Sequence, residues 1–208
     1  MWDSRMEAVC RNCGYKRSIE EVHGINVAEN PELKARVRDG SIFVWECPCC
    51  GQRNLLRFQT LYHDPARKLM IWLLPDGSTP PAAVSEAVKG LPGYTLRRVT
   101  EPGALVEKVN IFEAGLDDAV MELCKYVTAM EMAQKAPSAS DAQFRFVRME
   151  GADNDLVLAF PFNGSMQAVN IGFNVYEDAR AILARNPGAA PSEGFATVDR
   201  DWVNNFFR

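Results

Sequence analysis

Residues 10–14 read Cys-Arg-Asn-Cys-Gly and residues 47–51 read Cys-Pro-Cys-Cys-Gly, so one five-residue pattern occurs twice in the chain. A gap of two residues lets both sulfurs of a pair reach one ion at ~2.3 Å, while amides inside the turn can donate to them. Glycine after the second cysteine suits the positive φ needed where the chain turns away. Two such turns predict a closed tetrahedral shell, which is typical of a structural metal site. The predicted ligands are Cys10, Cys13, Cys47 and Cys50.

Zn²⁺ is the metal that this pattern favours, and two cysteine turns that each lead into a strand predict a zinc ribbon. We therefore expect one structural Zn²⁺ in the chain. A tetrathiolate iron site or an iron–sulfur cluster also has four cysteine ligands, so iron stays open. A thiol-redox pair is less favoured, because it needs only one Cys-x-x-Cys beside a βαβ unit. The 33 residues between Cys13 and Cys47 exceed the ~15–20 of compact fingers, and a predicted intervening helix accounts for the excess.

The remaining cysteines and the two histidines fall outside the predicted shell. Cys49 lies inside the second turn and is expected to point away from the ion. It is an incidental small residue, a modifiable thiol or a replacement ligand, and the first interpretation is favoured. Cys124 is expected to be a small buried residue on a long helix. His63 beside Asp64 more commonly caps a turn than performs catalysis, and His23 is not needed in a complete shell.

The composition of the chain is that of an ordinary globular protein, with 208 residues, 47% of them hydrophobic and 24% charged. Residues 1–74 carry eleven Lys/Arg against nine Asp/Glu (+2), whereas residues 75–135 and 136–208 each carry six against nine (−3). The sequence therefore lacks the basic stripe of a general nucleic-acid binder. It also lacks an apolar run of bilayer length and a signal-peptide pattern, which predicts a cytoplasmic protein without membrane contact.

Apolar spacing and turn residues predict an α+β fold. Extended segments are expected near residues 15–27, 41–46, 53–62, 67–74, 94–100, 144–150, 155–162 and 167–174. Helices are expected near residues 31–40, 80–91, 105–112, 116–130 and 175–184, and after the cap residue Asp199. We interpret this order as a zinc ribbon built into a mixed, mainly antiparallel sheet with helices, plus a C-terminal α/β portion. The expected division is a domain of residues 1–135, a small polar linker of residues 136–143, and residues 144–208 packed on the first domain.

These motifs resemble those of the CpXC proteins, a prokaryotic family with two Cys-x-x-Cys motifs in one domain. The similarity covers about residues 8–135 and includes Asn30-Pro31-Glu32-Leu33, Leu61-Tyr62-His63-Asp64-Pro65 and Gly115-Leu116-Asp117-Asp118. The usual first motif has proline where this chain has Arg11, a difference expected to loosen the turn slightly without removing a ligand. The resemblance implies metal binding through the cysteine pattern, and it supplies no substrate and no catalytic residue.

Three classes of function are compatible with the sequence. We favour a structural zinc-binding protein that is a scaffold or protein-interaction module, with a protein partner or a second copy of itself. The alternative is a nucleic-acid-associated ribbon whose cations contact phosphate, although such cations more simply offset the charge of a zinc tetrathiolate. The candidate contact residues are Arg11, Lys16, Arg17, Arg53 and Arg57. An enzyme is not favoured, because the sequence shows no paired carboxylates, catalytic triad or phosphate-binding glycine loop.

The predicted shell also has a consequence for folding. Four clustered thiolates repel one another when no cation is bound, and the ribbon would then stay unclosed. We therefore expect folding to depend on the metal and chelation to destabilise the whole chain.

Overall fold

The computed structural model describes residues 4–89, 91–135 and 143–207. The fold is α+β, as predicted, with helices and mostly antiparallel strand pairs. The chain divides into two compact units, Met1–Val106 with Glu193–Ala196, and Glu107–Ser192 with Thr197–Arg208. We call these unit 1 and unit 2. The predicted domain boundaries stay a prediction, and the predicted linker lies, apart from residue 143, outside the described residues.

Unit 1 contains two short antiparallel hairpins, and each is closed by one cysteine turn. In the first, β1 (Arg5–Val9) pairs with β2 (Lys16–Glu20); in the second, β4 (Val44–Glu46) pairs with β5 (Arg53–Leu55). Each hairpin is a two-stranded sheet of its own. The sequence repeat at the two cysteine pairs is therefore also a repeat of local structure.

A four-stranded mixed sheet forms the buried centre of unit 1, in the order β3 (Gly24–Asn26), β6 (Thr60–Asp64), β7 (Leu69–Leu73) and β8 (Thr95–Val99). The central pair β6–β7 is antiparallel, and both outer pairs are parallel. Parallel neighbours need long crossover connections. The connection from β3 to β6 contains α1 (Pro31–Arg38) and the second cysteine hairpin, and the connection from β7 to β8 contains α2 (Ala82–Lys89).

Unit 2 is a three-stranded antiparallel meander packed against helices. Its strands are β9 (Arg145–Glu150), β10 (Asp155–Phe162) and β11 (Ser165–Ile171), in the order β11-β10-β9. Its helices are the C-terminal part of α3 (Pro102–Glu113), then α4 (Asp118–Lys135), α5 (Phe173–Arg185) and α6 (Arg200–Phe206). One apolar cluster joins them and includes Met121 on α4, Leu156 on β10 and Val203 on α6. Asp199 caps α6 by accepting from the backbone of Trp202, as predicted.

Three of the expected extended segments are interrupted. The segment at 15–27 is divided into β2 and β3, which belong to different sheets. The expected strand at 41–46 begins with a 3₁₀ turn at Ser41–Phe43, because Gly40 adopts a φ of +76° and Asp39 accepts from the amide of Ser41. The expected strand at 53–62 is divided into β5 and β6, which belong to different sheets.

In the part of the chain that the structure describes, no helix is both long and apolar enough to cross a membrane.

Unit 2 also buries a network of charged side chains between α3, α4 and β9. Lys125 Nζ donates to Glu107 Oε1 at 2.9 Å and to Glu122 Oε1 at 2.7 Å. Glu107 Oε1 further accepts from the backbone N–H of Phe146 at 2.8 Å. Burial raises the pKa of Glu122, and the nearby Lys125 ammonium opposes this rise. Lys125 is therefore a cation shared by two buried carboxylates.

Replacement of that lysine is expected to destabilise unit 2. Lys125→Met leaves Glu107 and Glu122 without their shared cation, and breaking a buried ion pair in this way costs about 3–5 kcal/mol of unfolding free energy. Without Lys125 the pKa of Glu122 rises further in the folded state, so the loss is larger at pH 7 than at pH 5. Urea denaturation at both pH values measures these free energies.

The matched control is Lys16→Met, which removes a lysine from an exposed ion pair with Glu7. Exposed pairs contribute under about 1 kcal/mol, so this variant is expected to unfold almost as the wild type does. Equal losses for the two variants would contradict the assignment of a stabilising role to the buried network.

Candidate metal centre

The two cysteine turns have the same backbone hydrogen bonds. In the first turn the amide of Gly14 donates to the carbonyl of Cys10 at 3.0 Å, and the amide of Cys10 donates to the carbonyl of Tyr15 at 2.8 Å. Residues 47–52 repeat both bonds at 2.9 Å. Gly14 and Gly51 have φ values of +73° and +70°, a conformation in which any residue with a Cβ is strained. The repeated sequence pattern thus folds twice into one local geometry, as the spacing predicts.

The four predicted ligand cysteines lie together. Their sulfur atoms are all within 4.8 Å of one another. Cys10 Sγ lies 3.6 Å from Cys50 Sγ, and Cys13 Sγ lies 3.6 Å from Cys47 Sγ. These distances are far longer than the ~2.05 Å of a disulfide bond. A tetrahedron with metal–sulfur bonds of ~2.3 Å has sulfur–sulfur edges of about 3.8 Å, so the group could hold one metal ion.

Each turn contributes one buried and one exposed sulfur ligand. Cys10 and Cys47, the first cysteines of their turns, are buried, whereas Cys13 and Cys50 are exposed. An ion held by all four would therefore lie at the surface end of the two hairpins, with its inner side covered by protein.

When no ion is bound, hydrogen bonds give the clustered thiols different pKa values. Burial raises the pKa of Cys10, but hydrogen bonds from the backbone of Cys13 and Asn12 outweigh it and lower the pKa to about 6. The backbone of Tyr15 lowers the pKa of Cys13, but hydrogen bonding to Cys50 and other effects raise it to about 12. The Asn12 side chain lowers the pKa of Cys50. An arriving cation must therefore displace protons, and its affinity falls as the pH falls.

Asn54 on β5 connects the two turns. Its Oδ1 accepts from the backbone N–H of Arg11 at 3.0 Å, and its Nδ2 approaches Cys10 Sγ at 3.7 Å and donates to the carbonyl of Gln52 at 2.8 Å. The residue is only 5% exposed. Hydrogen bonds to ligand atoms orient the ligand and adjust its affinity for the metal. The second hairpin thus helps to position a sulfur of the first.

Sequence reasoning missed Asn54, although the two motifs contain a signal for it. Aligning the two cysteine turns places Asn54 opposite Arg17, and Arg11 opposite Pro48. Proline has no backbone N–H, so a proline at position 11 could not donate to Asn54. Two of the positions at which the repeats differ are therefore joined by a hydrogen bond. Despite Arg11, the first turn makes both backbone hydrogen bonds of the second.

The five candidate contact residues are exposed and lie on or next to the hairpins. Lys16 Nζ pairs with Glu7 Oε1 at 2.9 Å, and Arg57 Nη2 pairs with Glu101 Oε2 at 3.1 Å. Arg11 lies in the first turn, Arg17 on β2 and Arg53 on β5. Part of the positive charge is therefore matched by carboxylates of the same unit, and contact with phosphate stays a prediction.

The remaining cysteines lie outside the four-sulfur group. Cys49 is exposed and is not one of the clustered residues. Cys124 is buried in unit 2, where burial raises its pKa to about 12 and its thiol lies 3.8 Å from the carbonyl oxygen of Val175. Cys124 is thus a buried small side chain, as predicted.

The histidines make contacts of a structural kind. His63 Nε2 lies 3.2 Å from the hydroxyl of Tyr94, while the neighbouring Asp64 accepts from the backbone N–H of Arg67 at 3.1 Å. Asp64 thus caps the turn between β6 and β7, as predicted for this pair of residues. His23 Nδ1 donates to the carbonyl of Gln59 at 2.8 Å.

Comparison with known protein families extends the similarity beyond the cysteine turns. A family model described as "CpXC protein" matches residues 8–125, which is more than half of the chain and includes all four clustered cysteines. Neither the curated proteins nor the solved structures give a significant match.

Loss of the Arg11–Asn54 hydrogen bond is expected to weaken metal binding. Asn54→Leu removes both bonds to the first turn, and changes of this kind typically reduce metal affinity roughly 10- to 100-fold. Arg11→Pro removes only the donor and leaves Asn54 Oδ1 without it, so we expect a smaller loss in the same direction. Competition for Zn²⁺ with a chromophoric chelator measures the affinities.

Arg11→Ala is the matched control, since it removes the same side chain but retains the backbone N–H. Its affinity is expected to equal that of the wild type. If the alanine and proline variants bound equally well, the backbone bond to Asn54 would have no role in metal binding.

Proposed function

The chain belongs to the CpXC protein family, and we propose that it is a structural zinc-binding protein that acts as a scaffold or protein-interaction module. The observation that carries the proposal is the group of four cysteine sulfurs within 4.8 Å of one another. Four protein ligands complete a tetrahedral shell, so a water or a substrate has no coordination position. This donor set is suited to holding two hairpins together and not to metal-assisted hydrolysis.

The sulfur–sulfur distances support a single ion. Distances of 3.6 Å between sulfurs from opposite turns approach the edge of a tetrahedron around one metal atom. In an iron–sulfur cluster the cysteines bind the several irons of a larger core, which separates the cysteine sulfurs further. Among single ions, Zn²⁺ prefers four thiolates in tetrahedral geometry and has no redox chemistry. A single iron ion would have similar sulfur–sulfur distances, and elemental analysis distinguishes it from zinc.

A role in protein interaction is supported by apolar side chains on the hairpins. Val9, Tyr15 and Leu55 are 47%, 41% and 46% exposed, respectively. Tyr15 directly follows the first cysteine turn, and Leu55 ends β5. Tyrosine is enriched among the residues that contribute most of the binding energy at protein interfaces. We therefore favour a protein partner for these hairpins over a polyanion.

Elemental analysis of the purified, untagged protein tests the metal proposal. We expect about one zinc per chain. Four thiols are expected to stay unreactive in denaturant alone and to become reactive when a chelator is added. Cys10→Ser is expected to lose most of the zinc, because it removes a buried ligand. Cys49→Ser is the matched control within the second turn and is expected to retain one zinc. Iron in place of zinc, or zinc loss in both variants, would contradict the proposed site.

Chelation is expected to destabilise unit 1 before unit 2. Unit 2 has its own apolar cluster, which contains none of the four clustered cysteines. We therefore expect unit 1 to unfold at a lower chelator concentration than unit 2, so that its part of the thermal transition is lost first. A chelated protein that retained the complete thermal transition in circular dichroism would show that the ion does not stabilise the fold.

Binding to nucleic acid is the alternative outcome. It predicts strongly salt-dependent binding of DNA or RNA that is lost in the double variant Arg11→Glu, Arg53→Glu. Such a result, with zinc retained, would replace the protein-interaction part of the proposal and leave the metal part intact.

A further inference from the structure

The strand β11 has an outer edge that is open to solvent. It pairs with β10 through seven residue pairs, and within the described residues no strand forms a ladder along its other side. Five of its seven residues are exposed, and Met166, near its start, is 66% exposed. Backbone N–H and C=O groups along such an edge are a template for a further strand.

β11 differs from the other described edge strands of five or more residues in carrying no charge. Its sequence, Ser-Met-Gln-Ala-Val-Asn-Ile, contains no charged residue, no proline and no glycine. Among the described edge strands of five or more residues, each of the others contains at least one arginine or lysine. Charges, prolines, bulges and short length are the usual features that prevent edge-to-edge pairing, and β11 has none of them.

The opposite edge of the same sheet shows these protective features. β9 carries Arg145, Arg148 and Glu150, and its register with β10 shifts between Val157 and Leu158. At the edge of unit 1, β8 contains two arginines and is bridged by Ala196. β9 and β8 therefore carry features that hinder edge pairing, and β11 does not.

We propose that a second copy of this chain pairs antiparallel with β11, so that two three-stranded sheets join into one of six strands. An antiparallel pair of identical strands is related by a two-fold axis, and each contact then occurs twice. With Ala168 on the axis, Met166 would lie opposite Asn170 and Gln167 opposite Val169. The second copy would be the partner of the scaffold proposed above. The pairing itself is argued from β11, and only its biological role rests on the proposed function.

A second copy fits this edge better than an unrelated strand of charged composition. Two-fold pairing brings a residue at the axis opposite its own copy, so a charge at the centre of β11 would meet the same charge on the partner. An uncharged strand avoids this repulsion. The smallest side chain of β11, Ala168, lies at the centre of the strand, where it would face its own copy. A pair of seven-residue strands forms a small interface, so we expect the dimer to dissociate reversibly on dilution.

Sedimentation equilibrium of the zinc-loaded, full-length protein tests the proposal. The wild type is expected to show a reversible dimer of about twice the 23.2 kDa chain mass. Ala168→Lys places two lysines opposite one another and is expected to abolish the dimer. Val147→Lys adds the same charge to an exposed position on β9 and is expected to leave the dimer intact.

Charge complementation distinguishes a lost interface from a misfolded protein. Ala168→Glu alone is expected to be monomeric, whereas an equal mixture of the Ala168→Lys and Ala168→Glu proteins is expected to form a heterodimer. A monomeric wild type, or a dimer that persists in Ala168→Lys, would overturn the proposal. Zinc content measured on the same samples reports separately on the metal site, so failure of one proposal is not mistaken for failure of the other.

Discussion

Repulsion among four clustered sulfurs is the constraint around which unit 1 is organised. Thiolates within 4.8 Å of one another repel, and in the metal-free site the pKa of Cys10 is lowered to about 6 while that of Cys13 is raised to about 12. A divalent ion held by the four sulfurs would replace the retained protons and convert this repulsion into four bonds. The free energy of metal binding would then contribute to the folding of the two hairpins, which are too small to be stable by themselves.

The position of the second hairpin explains how such a local site affects a larger structure. That hairpin lies inside the crossover between the parallel strands β3 and β6. An ion that joins Cys13 to Cys47 would hold together the two ends of a long segment of the folded chain, and its binding energy would offset the entropy lost on closing that segment. Asn54 adds a second, noncovalent link by contacting both Arg11 and Cys10. Unit 2 depends instead on an apolar cluster and a buried ionic network.

The sequence predicted the site better than it predicted the strands around it. The spacing of the cysteines and the following glycines is local chemistry, and it placed Gly14 and Gly51 at positive φ correctly. The break between β5 and β6 was missed, because both halves have strand-like composition and only tertiary pairing assigns them to different sheets. On α4 the apolar spacing predicted the helix, but Val127 and Met130 on that stripe are exposed. Asn54 was missed because one asparagine on a strand forms no motif.

X-ray absorption at the K edge of the bound metal tests the four-cysteine site, because it identifies the ion and its ligands in one measurement. We expect a zinc edge and a single shell of four sulfur atoms at ~2.3 Å. A shell containing nitrogen or oxygen would contradict a four-cysteine site. A second shell of nearby metal atoms would show a cluster in place of the single ion that the sulfur–sulfur distances of 3.6 Å support.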